Sequence, residues 1–390
     1  MIQGANLLVL LVAKATISEA DFAFVLTNLA FAGIIGSVAT MRLEVLVFQA
    51  QGITTYSAAL LPSIAIGTVI VASYLANAIF AQIGAASLEL SASAIPMIIG
   101  LGLSAILAFL FVQDKQLNAL LAMRVVQAGM LALLVVALFA RIGNLGGEKV
   151  LLFIGIGYAA PAFVGLIYVL IRIAPKRAAD QPMFAPSYAM VKRSGLLTAS
   201  TGVNSVYVNL PILAAAATQS AGFVADFGMI MRMFTAPITL IFQVFGRLFL
   251  AESIRWSLAK DKAMSALSRL VSKTMARSVV AYACIAPILL GVLFLFRTEL
   301  DITNLAIAPF LFMAALGQCA INPVSQVRIS LNDETAFLFF DFLRLVVLAV
   351  GLFVLASAIA FEIAFGLTAL SLYTAYIFFI RFRIARQSRL

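Results

Sequence analysis

The sequence predicts an all-α integral membrane protein, with about twelve transmembrane helices in two six-helix lobes around a central cavity. The first observation is compositional. Of the 390 residues, 64% are hydrophobic and 11% are charged, and the mean hydropathy is +1.11, whereas soluble domains carry about a quarter charged residues. The second is that apolar runs follow one another along the whole chain, and the third is that similar segments recur about 200 residues apart.

Short polar breaks divide the apolar runs into the predicted spans. The first span is short, because only about fifteen residues precede Ser18 and a spanning helix needs about 20. No cleavable signal peptide is predicted, since Met1–Ile17 lacks a basic start and a small-residue cleavage site. The predicted limits are 3–17, 22–41, 57–80, 92–113, 119–140, 150–171, 194–216, 223–249, 276–296, 304–325, 335–357 and 361–381.

A proline-containing polar break near the midpoint suggests where the two lobes meet. We predict an amino-terminal six-helix lobe over 1–172, a basic cytoplasmic linker over 173–193, and a carboxy-terminal six-helix lobe with a basic cytoplasmic tail over 194–390. The segments SEADFAFVL (18–26) and QSAGFVADF (219–227) lie between the first and second spans of their lobes. Such duplication is common in transporters.

Lysines and arginines are concentrated in the break after span six, in the break after span eight and in the tail. All three lie on one side of the membrane, and the positive-inside rule makes that side cytoplasmic. Both termini are therefore predicted in the cytoplasm. Most of the net charge of +10 is a topology signal, and no nucleic-acid partner is predicted.

The residue types available disfavour enzyme chemistry. The chain has no histidine, which removes the commonest general base and metal ligand. Cys284 and Cys319 lie in separate apolar runs without zinc-site spacing, which is typical of buried small hydrophobic residues. No catalytic residue, metal or cofactor is predicted.

The eighth predicted span, within Gly222–Leu250, carries Arg232 near its middle, where a cation requires water, a partner or a bound anion. A step of about 100° per residue places Thr239, Gln243 and Arg247 in the same sector as Arg232, opposite a phenylalanine-rich and isoleucine-rich face. Pro237 predicts a kink beside this polar stripe. In a lipid environment, such a stripe favours an internal cationic cavity suited to an anionic substrate.

Three other spans carry polar stripes in matching positions, and Lys14 lies on the stripe of span one. Small and hydroxyl residues also mediate packing between membrane helices, so packing is an open alternative for the serine, threonine and glycine positions. Packing does not call for a cation. The stripes comprise Gln3, Asn6 and Lys14 in span one, Gly33, Ser37, Thr40 and Glu44 in span two, and Ser194, Thr198, Thr201, Ser205 and Asn209 in span seven.

Other charges have local explanations. Arg124, one turn into span five beside Gln127, could extend to the cytoplasmic surface. Asp341 and Arg344, three residues apart on span eleven, are spaced for a local ion pair. Asp226, near the outer end of span eight, could be solvated, and Glu44 could be an interfacial anchor at the close of span two.

The segment SVATMRLEVLVFQAQG (Ser37–Gly52) resembles the close of the second span in Wzx-type polysaccharide (O-antigen or exopolysaccharide) flippases of the multidrug/oligosaccharidyl-lipid/polysaccharide (MOP) exporter superfamily. Gly222–Arg255 resembles the eighth span of that family, with its glycine opening, central arginine, proline kink and phenylalanine-rich exit. The twelve-span count and the basic linker and tail agree. Lys14 stands where the family commonly has arginine, and Asp21 where it usually has glycine.

The resemblance implies a V-shaped pair of lobes that flips an undecaprenyl-pyrophosphate-linked oligosaccharide from the inner to the outer leaflet of a bacterial inner (plasma) membrane. A polysaccharide polymerase and glycosyltransferases would be its partners in lipopolysaccharide or other surface polysaccharide biosynthesis. Carried over by position, the substrate-binding residues are Arg232, Lys14, Arg247 and Arg124, with Gln243 and Thr239 beside them. Candidates for coupling to a proton or sodium ion are Glu44, Asp226 and Asp341.

Two other functions stay open from the sequence. A multidrug antiporter of the same superfamily is the nearest, although cationic drugs would favour an acidic cavity. A membrane glycan polymerase or ligase is the other, and such enzymes generally need a sizeable external loop with catalytic residues. The richest external loop here is RTELDIT at Arg297–Thr303.

Overall fold

The computed structural model is helical throughout the residues that it describes, which confirms the predicted all-α class. Among these residues, eight helices are long and apolar enough to cross a membrane, and the shorter apolar helices Gly4–Thr16 and Ala92–Ala108 accompany them. The described residues are 2–40, 63–71, 73, 90–113, 116–140, 145–173, 188–246, 248–249, 252, 263–295, 307–327, 331 and 333–387.

The chain divides into two compact units, 1–225 and 226–390. Helix α6 belongs to the first unit because it packs along α2, and the predicted lobe limits at 172 and 194 stay a prediction. The helices are α1 (Ile2–Thr16), α2 (Glu19–Val38), α3 (Ile95–Gln113), α4 (Leu117–Phe139), α5 (Gly147–Tyr168), α6 (Tyr188–Thr218), α7 (Ala221–Ile241), α8 (Ala263–Leu295), α9 (Ala308–Ile321), α10 (Glu334–Phe353) and α11 (Phe361–Gln387).

Several helices begin or end in other helical turns, and residues 63–71 form a further helical segment within predicted span three. The π-helical turns are Val169–Ile173 after α5 and Phe242–Gly246 after α7. The 3₁₀ turns are Ala92–Ala94 before α3, Asn322–Gln326 after α9 and Leu355–Ser357 after α10.

Glycines allow α3 and α5 of the first unit to approach closely. A Cβ atom at Gly100 would lie 2.6 Å from the backbone nitrogen of Ala159, and one at Gly155 would lie 2.9 Å from that of Met97. Small residues at such contacts let membrane helices gain van der Waals packing, which replaces the hydrophobic driving force that lipid cannot supply. An apolar cluster that includes Leu107 extends this core.

The second unit is organised around α9, which packs against α8 and α11. Glycines again mark the contacts: a Cβ at Gly317 would meet the Tyr373 ring at 2.7 Å, and one at Gly366 would meet Phe310 at 2.8 Å. The end of α11 is tied to the start of α10 by an ion pair between Arg383 and Asp333. One cation of the predicted basic tail is therefore used within the protein.

Helix α8 begins at Ala263, thirteen residues before the predicted start at position 276. The prediction was wrong here because it followed continuous apolar runs, whereas the first part of α8 is amphipathic. Leu267, Leu270 and Val271 are buried on one side of the helix, while charged and polar residues are exposed on the other. The helix therefore includes part of the predicted basic break after span eight.

Candidate functional site

Helix α7 places a partly exposed cation in an otherwise buried stretch. Every residue from Val224 to Phe234 is buried except Arg232, which lies twelve residues into a membrane-spanning helix and keeps part of its surface exposed. A buried helix is normally apolar all round. Charged residues within membrane-spanning helices commonly mark substrate or ion pathways. A partly exposed cation at this position in α7 is therefore a candidate for such a role.

Thr239, the next member of the predicted stripe, lies half-buried near the end of α7. The helix continues past Pro237 to Ile241 and then enters the π-helical turn Phe242–Gly246, which contains Gln243. The side chain of Gln243 and the whole of Arg247 lie outside the described residues. π-Helical turns occur frequently at functional sites, because the extra residue changes which side chains face a cavity.

Tyr282 of α8 holds α7 in place one turn before Pro237. Its buried hydroxyl donates a 2.9 Å hydrogen bond to the carbonyl oxygen of Phe234, and its ring stacks on that of Phe312. This hydrogen bond fixes α8 to the backbone of α7 beside Pro237. The sequence contains no local signal for this contact, because the two residues are 48 positions apart.

Asp226 is buried, with 3% of its surface exposed. The interpretation of this residue as solvated was therefore wrong. Its neighbour Phe227 packs edge-on against the rings of Phe361 and Phe365, so α11 covers this part of α7. The helix is buried from Val224 onward, so nearness to the end of a span did not imply exposure. Asp226 thus places a carboxyl group inside the second unit, on the same helix as Arg232.

Asp341 and Arg344 form the predicted local ion pair on α10. An Asp341 Oδ1 and an Arg344 Nη2 lie 3.0 Å apart, and each side chain is only 3% exposed. The guanidinium carbon lies 4.4 Å from the centre of the Tyr376 ring, a cation–π contact with α11. Phe337, Phe340 and Phe379 add further aromatic contacts around Tyr376. Asp341 is therefore neutralised within an aromatic seam.

Lys14 of α1 is largely buried, with 7% of its side chain exposed, and its Nζ lies 3.7 Å from Glu19 Oε1 at the start of α2. Glu19 itself is exposed, and its Oε2 would be 2.8 Å from a Cβ at Gly222. A larger residue at position 222 would require the exposed Glu19 carboxylate to move. Lys14 therefore has an acidic neighbour that the sequence analysis did not identify, although the five-residue separation across a tight helix connection made it possible.

Arg124 of α4 is bound to its own helix. Its Nη1 donates a 3.0 Å hydrogen bond to Gln127 Oε1, while Gln127 Nε2 donates to Ser104 Oγ at 3.0 Å and to the Tyr158 carbonyl at 3.1 Å. Gln127 is fully buried, so this amide joins α3, α4 and α5. Arg124 thus takes part in a polar network inside the first unit. Glu44 lies outside the described residues.

The polar stripes of α2 and α6 meet each other in part. Ser205 Oγ donates a 3.2 Å hydrogen bond to the Gly33 carbonyl, and a Cβ at Gly33 would be 3.6 Å from Asn209 Nδ2. Helix packing, one of the two interpretations from the sequence, explains these positions. Within the part of the chain that the structure describes, no cluster of three His, Cys, Asp or Glu side chains could hold a metal ion.

No protein-family model matches the sequence, and no curated protein is similar to it. Solved structures are similar in fold. An inward-facing multidrug resistance MATE family transporter of the MOP superfamily aligns with a TM-score of 0.66 and 14% identity, over 100% of this chain and 96% of that chain. An outward-facing one gives 0.63 and 13%, over 100% and 93%. A eukaryotic MATE transporter gives 0.56 and 13%, over 98% and 93%.

These likenesses extend over essentially the whole chain, and at such low identity they concern the fold alone. Two of these structures are described as transporters of the MOP superfamily, the superfamily that the sequence resemblance indicates. The proteins found are transporters by their descriptions. This chain is thus an integral membrane protein with the fold of the MATE transporters of the MOP superfamily.

Proposed function

We propose that this protein flips an undecaprenyl-pyrophosphate-linked oligosaccharide from the inner to the outer leaflet of a bacterial inner membrane by alternating access. The fold supports this proposal, because transporters with the same fold have been solved in inward-facing and outward-facing conformations. The resemblance of Ser37–Gly52 and Gly222–Arg255 to Wzx-type flippases supports the substrate class. The two lobes, the cytoplasmic termini, and a polymerase and glycosyltransferases as pathway partners belong to the same proposal.

Arg232 is the observation on which the proposal mainly rests. Arg232 is a partly exposed residue in the buried stretch of α7, and a guanidinium can make charge-assisted bidentate hydrogen bonds to a diphosphate. Thr239 follows on the same helix as a further donor. The polyprenyl chain is apolar and remains in the bilayer while the headgroup is held. Lys14, Arg124, Gln243 and Arg247 are secondary contacts in this proposal.

Transport needs an energy source, and three acidic residues are candidates for coupling it to a proton or sodium ion. Their surroundings make some of them better suited to this role than others. Asp341 is already neutralised by Arg344 at 3.0 Å, so it is poorly placed to exchange a proton or sodium ion. Asp226 is buried on α7 close to Arg232 in sequence. We therefore assign coupling to Asp226 ahead of Asp341, with Glu44 as the third candidate.

A multidrug antiporter is the second candidate function. The solved structures similar in fold are described as multidrug resistance transporters, and the buried carboxyl group of Asp226 would suit a cationic substrate. The two functions require opposite charges in the binding site. Arg232 favours the anionic substrate.

Proteoliposomes distinguish the two functions. Purified protein should move a fluorescent undecaprenyl-pyrophosphate glycan between leaflets, measured by access of an external quencher, and should not export cationic dyes. Arg232→Ala should abolish flipping, whereas Arg381→Gln, which removes an exposed arginine of α11, should not. If the wild type exports dyes and does not flip the glycan, the protein is an antiporter instead. If Arg232→Ala flips the glycan as fast as the wild type, Arg232 is not part of the binding site.

A further inference from the structure

One exposed face runs the length of α8, and it is cationic in its first half and apolar in its second half. Exposed positions recur every three or four residues, so they lie on one side of the helix. The first half of this face carries Arg269, Lys273 and Arg277, spaced four residues apart. The second half carries large apolar residues, including Val280, Ile288 and Phe294, each more than half exposed.

The change from cations to apolar residues locates the edge of the hydrocarbon core. Large apolar residues exposed on a membrane-spanning helix face lipid chains, because in water they would form an unfavourable patch. Arg277 precedes Val280 by three residues, a rise of about 5 Å. Arg277 therefore lies in the headgroup layer, which is roughly 6 Å thick on each side of the bilayer. Lys273 lies about 6 Å and Arg269 about 12 Å farther along the helix, on the aqueous side of this layer, from which their long side chains can extend toward the headgroups.

The opposite face of α8 packs into the protein and fixes the backbone that carries these cations. Leu267, Leu270 and Val271 are buried against the rest of the second unit, in which α8 packs on α9 and α11. Farther along, the buried Cys319 thiol donates a 3.3 Å hydrogen bond to the Ser278 carbonyl. The cationic face is thus part of a packed helix, and its geometry is set before any ligand binds.

We propose that this face, Arg269, Lys273 and Arg277, binds the anionic headgroups of membrane phospholipids. Helix α8 contains no aspartate or glutamate that would neutralise it. Ser268 and Ser272 are exposed beside the cations and can donate hydrogen bonds to lipid phosphates. Each basic residue near an anionic membrane surface strengthens binding by about fivefold. The inference is independent of the transported substrate, since these residues lie outside the α7 site.

The proposal predicts an enrichment of phosphatidylglycerol around the protein. Full-length protein in phosphatidylcholine nanodiscs, with a small fraction of spin-labelled phosphatidylglycerol or spin-labelled phosphatidylcholine, reports how much of each lipid is immobilised. The wild type should immobilise the anionic lipid several-fold more strongly, and the preference should weaken as salt is added. R269Q/K273Q/R277Q should lose most of the preference, and R269K/R277K should keep it.

A matched variant separates a defined face from net charge. K192Q/R381Q/R386Q removes three exposed cations from α6 and α11, and it should reduce the preference by less than half as much as the α8 variant. Equal losses in both triple variants would overturn the proposal, as would an unchanged preference in R269Q/K273Q/R277Q. If that variant does not fold, the wild-type measurement alone tests the proposal. Equal immobilisation of the two lipids by the wild type at low salt would contradict it.

Discussion

Arg344 and Arg232 both lie within membrane-spanning helices of the second unit, and their surroundings differ. Arg344 on α10 is sealed against Asp341 and Tyr376, with 3% of its side chain exposed. Arg232 on α7 remains partly exposed in a buried stretch. Each shares its helix with an aspartate. The contrast teaches that a membrane-embedded cation by itself does not define a site, since its surroundings decide whether it stabilises the fold or faces a substrate.

Sequence spacing accounts for part of the difference. Asp341 precedes Arg344 by three residues, which places both side chains on the same side of a helix. Asp226 precedes Arg232 by six residues, so the two point about 120° apart around the axis of α7. The spacing that forms the ion pair on α10 is therefore not repeated on α7, and Arg232 is also the more exposed of the two arginines.

The largest expected effect comes from breaking the sealed pair. Arg344→Ala leaves Asp341 as a buried carboxylate without its neutralising cation, which should destabilise the protein by about 3–5 kcal/mol. Unfolding in detergent, followed by circular dichroism, measures this. The double variant D341L/R344M should recover most of the loss, because apolar residues of similar size replace both charges. A stable Arg344→Ala protein would show that the pair does not stabilise the second unit.

The second effect tests a sealed polar cluster in the first unit. Gln127→Leu keeps the side-chain volume but removes the hydrogen bonds to Ser104 Oγ and to the Tyr158 carbonyl. The buried groups left unsatisfied should lower the free energy of unfolding by about 1–3 kcal/mol. Arg124→Gln, in the half-buried residue at the edge of the cluster, should lower it by less than Gln127→Leu. The reverse order would assign the stabilising role to Arg124.

The sequence predicted local contacts and most helix limits well, but it did not predict contacts between residues that are far apart in the chain. The Asp341–Arg344 pair followed from local spacing and is confirmed, and most helices lie within a few residues of their predicted limits. Contacts between distant residues, such as Gln127 with Tyr158 or Tyr282 with Phe234, leave no local pattern. The burial of Asp226 was missed for the same reason, because local sequence does not show which residues pack around it.

The sequence predicted which helix, α7, and which polar face of it carry the candidate site. Periodicity singled out Arg232, but the same method also selected Ser205 and Asn209, whose positions are explained by packing against Gly33. Small polar residues serve both purposes in membranes, and periodicity cannot separate them. A cation in a buried stretch is more specific, since packing alone gives no reason to retain it.

The third prediction concerns an aspartate placed on α7 within pairing distance of Arg232, as Asp341 is placed for Arg344. We expect this change to affect stability less than the two variants above and to affect transport more. Ala236 is half-buried and lies four residues after Arg232. Ala236→Asp should form an ion pair along α7 and reduce glycan flipping by about tenfold, which corresponds to ~1.4 kcal/mol. Ala236→Asn has nearly the same shape without the charge and should flip near the wild-type rate. Equal flipping by both variants would mean that the charge of Arg232 is not used.

Binding of the lipid diphosphate to purified protein tests the role of Arg232 most directly. Isothermal titration in detergent with an undecaprenyl-pyrophosphate glycan should show about ten- to a hundredfold weaker binding for Arg232→Gln, since a hydrogen bond to a charged group contributes about 1.5–3 kcal/mol. The unfolding midpoint should stay close to that of the wild type, and Arg232→Lys should retain part of the affinity. Equal affinity of the wild type and a folded Arg232→Gln protein would contradict the account.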